Sequence, residues 1–120
     1  MVEISGQVSV IIPAFNRAEY INETVESILS QDYPNVELIV VDDGSNDGTY
    51  EFLLECAEQG RLKLVTHPNC ENKGQSAALN LGLREASGQF IAILDSDDLF
   101  LHGKLKAQVD YLNTHPEIGL

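Results

Sequence analysis

Apolar runs typical of buried β-strands alternate along this chain with segments whose apolar residues recur at helical spacing. The strand-like runs are residues 8–12, 36–41, 62–65 and 90–94. The helical segments lie near residues 17–29, 50–57, 75–86 and 101–112. Such alternation implies right-handed βαβ crossovers, and therefore an α/β fold in which a parallel sheet carries helices on both faces.

The sequence also predicts where the first two helices begin and end. Asn16 is a candidate N-cap of the first helix, because Glu19 lies three residues further on. The second helix is expected to stop at Gly60. Its predicted buried face consists of Tyr50, Leu53, Leu54 and Ala57.

The length of the chain limits its domain organisation. With 120 residues it can bury one hydrophobic core and has little room for a second. We therefore predict a single domain over residues 1–120. The last four residues, EIGL, look like the beginning of another strand, so we expect this domain to be incomplete.

The charge of the chain disfavours some classes of partner. Nineteen acidic residues stand against 7 basic ones, which gives a formal net charge of -12, and the Lys and Arg residues are scattered. Binding to nucleic acid needs a basic footprint, so we predict no nucleic-acid partner. An anionic small molecule could still bind if a divalent cation lay between it and the protein.

Signals for membrane insertion, secretion and metal-binding cysteines are weak. The longest apolar run is much shorter than a membrane span, and the N-terminal MVEISGQ has neither a basic nor an apolar region. We predict a cytoplasmic location, with peripheral attachment to the inner membrane face left open. Cys56 and Cys70 are expected to be reduced. His67, His102 and His115 occur singly, and each is expected to be structural or solvated.

The segment IAILDSDDLF concentrates negative charge at the end of the fourth strand-like run. Two carboxylates about 4 Å apart repel each other by roughly 4 kcal/mol at an effective dielectric constant of about 20. Asp95, Asp97 and Asp98 therefore suggest a bound cation, since carboxylate oxygens suit Mg²⁺ or Mn²⁺ held together with substrate phosphates. The alternative is a solvated acidic turn that caps the next helix.

Three further loops are expected at the same edge of the sheet, where ligands bind in open α/β folds. Asp42 follows the second strand and could shape its turn, whereas Asp43 could accept the imide N–H of a uracil ring. Phe15, in the loop PAFN, is either an apolar wall for a ligand or a core residue. In the segment NKGQS a helix start would favour an anion, and Lys73 adds a positive charge.

Taken together, the segments VSVIIPAFNRAEYINETVESILSQDYPNVELIVVDDGSNDGT and NKGQSAALNLGLREASGQFIAILDSDDLF resemble the N-terminal, nucleotide-sugar-binding half of family 2 glycosyltransferases. The resemblance implies the GT-A fold, which is Rossmann-like. It also implies transfer of a sugar from a nucleoside diphosphate donor, UDP favoured, to an acceptor hydroxyl. Inversion at the anomeric carbon and a divalent metal, Mn²⁺ or Mg²⁺, belong to the same implication.

The resemblance assigns roles by position. The implied nucleotide-binding residues are Pro13, Ala14, Phe15, Asp43, Lys73, Gly74 and Asp95. The D-x-D motif is formed by Asp95 and Asp97, and the implied metal ligands are Asp97 and Asp98. The chain departs from the family pattern at Leu79, where many members have Arg, and at His102, where many have Pro.

No catalytic base can be nominated from this sequence. In the family the base lies in the second half of the catalytic domain, together with the acceptor site, and nothing here matches that half. The catalytic residues and the acceptor, whether glycan, lipid or protein, therefore stay unknown, and the chain could be a nucleotide-binding fragment without activity of its own. A phosphorelay receiver domain is a less favoured alternative. The acidic pair of LIVVDD resembles the pair that follows the first strand in that family, but here Asp42 follows the second strand and no Lys comes after Lys106.

Overall fold

Four parallel strands and three α-helices alternate in a computed structural model of the chain, which describes residues 4–31 and 35–94. The strands are β1 (Ile4–Ala14), β2 (Val36–Asp42), β3 (Lys63–Thr66) and β4 (Gly88–Ile93). The helices are α1 (Ile21–Leu29), α2 (Thr49–Glu58) and α3 (Gln75–Glu85), and a short 3₁₀ turn spans Pro68–Cys70. The sheet has the order β3-β2-β1-β4 with every pair parallel, so the predicted parallel sheet is confirmed.

Alternate side chains of the central strand β1 pack against different helices. Val10 and Ile12 point to the face covered by α1 and α2, where the core includes Val25 and Leu53. Ile11 points to the opposite face, which α3 covers. The predicted helices on both faces are therefore confirmed, and the period-two alternation of strand side chains is the reason.

Helix α3 lies unusually close to the sheet because it presents Gly82 to it. A Cβ atom added at this position would lie 2.6 Å from Cγ2 of Ile11 and 3.2 Å from Cγ2 of Val41. The absence of a side chain thus sets the distance between α3 and the two central strands. This distance also determines where the N-terminus of α3 meets the carboxyl end of β2.

The order of the strands reverses beside β1. From β1 the chain moves outward through β2 to β3, and it then crosses back to place β4 on the other side of β1. In open α/β sheets, a ligand crevice forms beyond the carboxyl ends of the strands at such a reversal. The crevice is therefore expected between the carboxyl ends of β1 and β4.

Pro13 explains why the hydrogen-bonded pairing of β1 with β4 ends where it does. The amide of Leu94 donates to the carbonyl oxygen of Ile11 at 3.1 Å, and the paired register of the two strands ends at Ile11 and Ile93. The next donor from β1 toward β4 would be the N–H of residue 13, which proline lacks. β1 continues to Ala14 paired with β2, two residues beyond the predicted strand end.

The start of α1 differs from the prediction. The helix begins at Ile21, and its N-cap residue Tyr20 makes no side-chain capping hydrogen bond. Asn16 instead has a positive φ of 51° and accepts a hydrogen bond from the amide of Asn46, 30 residues away. The prediction of Asn16 as N-cap was therefore wrong, because a tertiary partner engages the side chain that was expected to cap the helix.

The outcome for α2 is mixed. The chain leaves the helix at Gly60, whose φ is +75°, so the predicted stop is confirmed. Leu53 is buried as predicted, but Leu54 is 38% exposed, and Cys56 takes its place in the core. Cys56 and Cys70 are both free, in agreement with the expected reduced state.

A hydrogen-bond network centred on Glu37 joins the middle of β1 to the amino ends of β2 and β4. Oε1 of Glu37 accepts from Oγ of Ser9 at 2.8 Å and from the amide of Ser87 at 3.0 Å, and Oε2 accepts from Oγ of Ser87 at 3.0 Å. Ser9 Oγ also accepts from the amide of Gly88 at 2.8 Å. Burial of Glu37 opposes its ionisation, but the bonds from Ser87 and Ser9 outweigh it and lower the pKa.

Candidate functional site

Asp42 is the last residue of β2 and Asp43 follows it, and the two side chains point to opposite faces of the sheet. On the α2 side, Oδ2 of Asp42 accepts from the amide of Ser45 at 3.1 Å, which closes the turn after the strand. This contact agrees with the predicted loop-shaping role of Asp42. On the α3 side, Asp43 reaches the segment that precedes the helix, and its own amide donates to the carbonyl of Ala14 at 2.8 Å.

The carboxylate of Asp43 is buried and surrounded by donors. Oδ1 accepts from the amide of Lys73 at 2.7 Å, and Oδ2 accepts from the amide of Gly74 at 3.0 Å. Nε2 of His67 lies 3.1 Å from Oδ1, although its angle is not that of a hydrogen bond. A buried carboxylate needs such hydrogen-bond partners, and the same contacts attach the loop 67–74 to the end of β2.

His67 is the residue of this cluster that the sequence did not single out. It was expected to be structural or solvated, and the structural alternative is the one observed, with only 5% of the residue exposed. The register explains its position, because Thr66 at the end of β3 pairs with Asp42. The following residue on each strand, His67 and Asp43, then meet.

The anion that Lys73 and Gly74 bind is a side chain of the protein itself. Their amides donate to Asp43, and the first helical hydrogen bond of α3 runs from Ala78 to the carbonyl of Gly74. The expected preference of this segment for an anion is thus met internally by a carboxylate. The Lys73 side chain points outward, with its Nζ 3.8 Å from Oε2 of Glu71.

Close backbone packing brings two of the predicted loops together. Gly44 has a φ of +80°, and a Cβ atom added there would lie 2.7 Å from the amide nitrogen of Asn72 and 2.9 Å from the carbonyl carbon of Glu71. Only glycine fits this conformation and this contact without strain. The DDG and NKG segments therefore form one continuous surface.

The loop after β1 presents an aromatic ring at the same edge. Ala14 is buried, whereas Phe15 is 41% exposed, so the alternative that Phe15 is a core residue is wrong. Nη1 of Arg17 donates to the carbonyl oxygens of Phe15 at 3.1 Å and of Asn16 at 3.2 Å. The loop thus offers an apolar surface next to the end of β2.

The D-x-D segment, with Asp95, Asp97 and Asp98, lies outside the described residues. Leu94, which precedes it, is buried and bonded to Ile11, so the chain leaves β4 at the carboxyl edge of the sheet. Within residues 4–31 and 35–94 there is no group of three or more His, Cys, Asp or Glu side chains that could hold a metal ion. The same ranges contain no helix whose length and apolar character would allow it to cross a membrane.

The sheet and the loops at its carboxyl edge match those of a known protein family. The family model described as Glycosyl transferase family 2 matches residues 9–119. The chain therefore belongs to glycosyltransferase family 2, and the predicted family is confirmed. This membership decides against the receiver-domain alternative.

Individual proteins extend the comparison. The chain is 42% identical over 105 residues to the UDP-Glc:alpha-D-GlcNAc-diphosphoundecaprenol beta-1,3-glucosyltransferase WfgD of Escherichia coli, covering 88% of this chain and 40% of WfgD. Across eight curated relatives the chain spans between 15% and 42% of their length.

Two solved structures share the fold. Residues 1–349 of S. aureus TarS in complex with UDP-GlcNAc match with a TM-score of 0.81 and 32% identity, over 92% of this chain and 32% of that one. The mannosyltransferase PcManGT from Pyrobaculum calidifontis, in complex with GDP-Man and Mn²⁺, matches with a TM-score of 0.76 and 37% identity, over 88% of this chain and 32% of that one. The predicted GT-A fold is thereby confirmed.

Proposed function

We propose that this protein binds a nucleoside diphosphate sugar and takes part in transfer of the sugar to an acceptor hydroxyl with inversion. The observation that carries the proposal is the buried carboxylate of Asp43, held at the carboxyl edge of the sheet beside the Phe15 loop. Membership of glycosyltransferase family 2 supports the reaction class. The UDP-GlcNAc bound to TarS and the GDP-Man bound to PcManGT support a nucleotide-sugar donor.

The surroundings of Asp43 favour a base that presents an N–H group. The amides that contact its two oxygens are donors, so the carboxylate acts as an acceptor, and each oxygen can accept more than one hydrogen bond. The imide N–H of uracil matches this acceptor, whereas the unprotonated ring nitrogen of cytosine does not. UDP is therefore the favoured nucleotide, and GDP, whose base also carries a ring N–H, ranks above CDP.

The remaining nucleotide contacts follow from position at this edge. Phe15 is exposed beside the end of β2 and is proposed to stack on the base, with Pro13 and Ala14 forming the floor of the loop. The exposed Lys73 side chain is proposed to reach the diphosphate, because its backbone amide is already bonded to Asp43. Gly74 then contributes the close turn beside the nucleotide.

A divalent cation is part of the proposal. Asp97 and Asp98 would hold Mn²⁺ or Mg²⁺, with Asp95 toward the nucleotide, since carboxylate oxygens are the ligands these ions prefer. When bound, the ion would offset the negative charge of the departing diphosphate. The position of Leu94 at the carboxyl edge of the sheet supports this assignment, as does the Mn²⁺ in the PcManGT structure.

The wider context of the donor site stays a prediction. Residues 1–120 are proposed to form the donor-binding part of a larger catalytic unit, and the base that deprotonates the acceptor is assigned to no residue here. The acceptor class is likewise open among glycan, lipid and protein. A cytoplasmic location, including the inner membrane face, completes the proposal.

A titration calorimetry series tests the donor site directly. The chain is titrated with UDP, GDP, CDP and dTDP in the presence of Mn²⁺, Mg²⁺ or EDTA, and the series is repeated with Asp97→Asn. We expect metal-dependent binding of UDP, weaker binding of CDP, and loss of the metal dependence in the variant. A folded wild-type chain that binds none of the four nucleotides under any condition would show the proposal to be wrong.

A further inference from the structure

The loop after β1 is joined to the loop after β2 by four hydrogen bonds. They connect segments about 30 residues apart in sequence, and each involves a side chain on one loop and a backbone amide on the other. The amides of Asn16, Arg17 and Ala18 donate to Ser45 Oγ (2.9 Å), Thr49 Oγ1 (2.9 Å) and Asp47 Oδ2 (3.2 Å), and the amide of Asn46 donates to Asn16 Oδ1 (2.9 Å).

Thr49 is held in the orientation that this network requires. Its hydroxyl donates to Oδ1 of Asp47 at 2.6 Å, which leaves the oxygen lone pairs available to the amide of Arg17. The amide of Thr49 donates to the same Asp47 oxygen at 3.1 Å. Thr49 is fully buried, so its rotamer is also restricted by packing.

These contacts fix the backbone on both sides of Phe15. Before it, the carbonyl of Ala14 accepts from the amide of Asp43 at 2.8 Å. After it, Asn16 adopts a positive φ of 51°, a conformation that a non-glycine residue needs help to maintain, and its contacts to Ser45 and Asn46 provide that help. The backbone position from which the Phe15 side chain projects is therefore set before any ligand arrives.

We propose that Ser45, Asp47 and Thr49 are positioning residues that hold Phe15 ready for a nucleoside base. The inference rests on the proposed donor-binding function, and it assigns a role to the part of the DDGSNDGT segment that does not reach the site. Preorganisation of a loop increases affinity because the cost of ordering it has already been met in the free protein. Loosening the network should then weaken binding without removing any atom that touches the nucleotide.

A purely structural role predicts something different. Asp47 and Thr49 lie at the start of α2, where their hydrogen bonds could simply stabilise the helix terminus. In that case their variants would lower the stability of the protein and leave nucleotide affinity unchanged. Affinity, and its dependence on Phe15, therefore distinguishes the two roles.

The test is a double-mutant cycle on the affinity for UDP with Mn²⁺, measured by calorimetry. Thr49→Val keeps the shape of the side chain and removes its hydroxyl, whereas Thr49→Ser retains the hydroxyl and serves as the conservative control. We expect Thr49→Val to raise the Kd roughly three- to tenfold, the range that one lost hydrogen bond gives, and Thr49→Ser to restore nearly wild-type affinity. In a Phe15→Ala background the effect of Thr49→Val should disappear.

Asp47→Asn provides a second variant in case burial of a valine at position 49 prevents folding. It removes at least one of the acceptor sites for Ala18 and Thr49 from an exposed residue, and the same cycle with Phe15→Ala applies. Unchanged affinity in both variants, or an equal loss with and without Phe15, would overturn the inference. If wild-type protein does not bind UDP while remaining folded, the donor-site proposal fails first and takes this inference with it.

Discussion

Nε2 of His67 lies 3.1 Å from Oδ1 of Asp43, and each side chain is only 6% exposed. The two residues follow neighbouring strands, so their proximity is a direct consequence of the β2–β3 register. Three nitrogen atoms therefore lie next to the carboxylate oxygens of Asp43: Nε2 of His67 and the amide nitrogens of Lys73 and Gly74. The end of β2 thus combines a fold constraint with the proposed base-recognition group.

Asp43→Asn should destabilise the fold, because an amide cannot accept at both of its terminal atoms. Its NH₂ group would face the N–H of either Lys73 or Gly74, and one buried donor would lose its partner. We expect a loss of about 1–3 kcal/mol in the free energy of unfolding, measured by urea denaturation. Glu71→Gln, which removes the same charge from an exposed residue of the adjacent loop, is the control, and an equal effect of both changes would contradict the enclosed-carboxylate interpretation.

Gly44→Ala should cost more than Gly60→Ala, although both residues have a positive φ near 80°. At Gly60 an added Cβ meets no atom within 4 Å, so only backbone strain of about 1–2 kcal/mol is expected. At Gly44 the Cβ would also lie 2.7 Å from the amide nitrogen of Asn72, and the two loops would have to separate. Urea denaturation of both variants measures the loss in the free energy of unfolding. Equal losses would mean that the close contact between the loops does not contribute to stability.

Gly82→Ala should destabilise the protein, although replacement of glycine by alanine usually stabilises a helix. In an exposed helix interior, alanine is favoured over glycine by about 1 kcal/mol. Here the new methyl group would lie 2.6 Å from Ile11, so α3 must shift, and overpacking typically destabilises by about 1–3 kcal/mol. Thermal unfolding of this variant and of Asn80→Ala, at an exposed position of the same helix, is the measurement. A stabilised Gly82→Ala protein would show that α3 moves freely.

The Glu37 network should make part of the stability dependent on pH. Because the pKa of Glu37 is lowered in the folded protein, its contribution is fully present above the ordinary carboxyl value near 4.5. The contribution is then lost as pH falls through the folded pKa. Free energies of unfolding measured from pH 7 to pH 3 should therefore show wild type losing its advantage over Glu37→Gln in acid. A difference between the two proteins that stays constant across this range would contradict the prediction.

The sequence predicts elements well where local signals and tertiary structure agree. β2 ends at Asp42, one residue beyond the predicted run, and the chain leaves α2 at Gly60 as expected, because a buried β-branched run and a residue able to adopt positive φ are local properties. Asn16 was misread because its side chain bonds to a residue 30 positions away rather than to its own helix. Hydrogen bonds between residues so far apart produce no periodic pattern in the sequence.

The same distinction applies to the candidate site. The positions of Asp43 and Phe15 at the carboxyl edge could be predicted because each follows the end of a strand, and their contact with a ligand stays a prediction. The position of His67 could not be predicted, since it depends on the register between β2 and β3. The roles proposed for Ser45, Asp47 and Thr49 were hidden for another reason, as these residue types are also ordinary in turns and caps.

Pro13 limits the hydrogen bonding between β1 and β4 through a hydrogen atom that it does not have. The paired register of the two strands ends at Ile11 and Ile93, and the amide of Leu94 still donates to the carbonyl oxygen of Ile11. The next donor from β1 toward β4 would be the N–H of residue 13. A single replacement that restores this N–H would therefore supply the donor for one more hydrogen bond between the two strands.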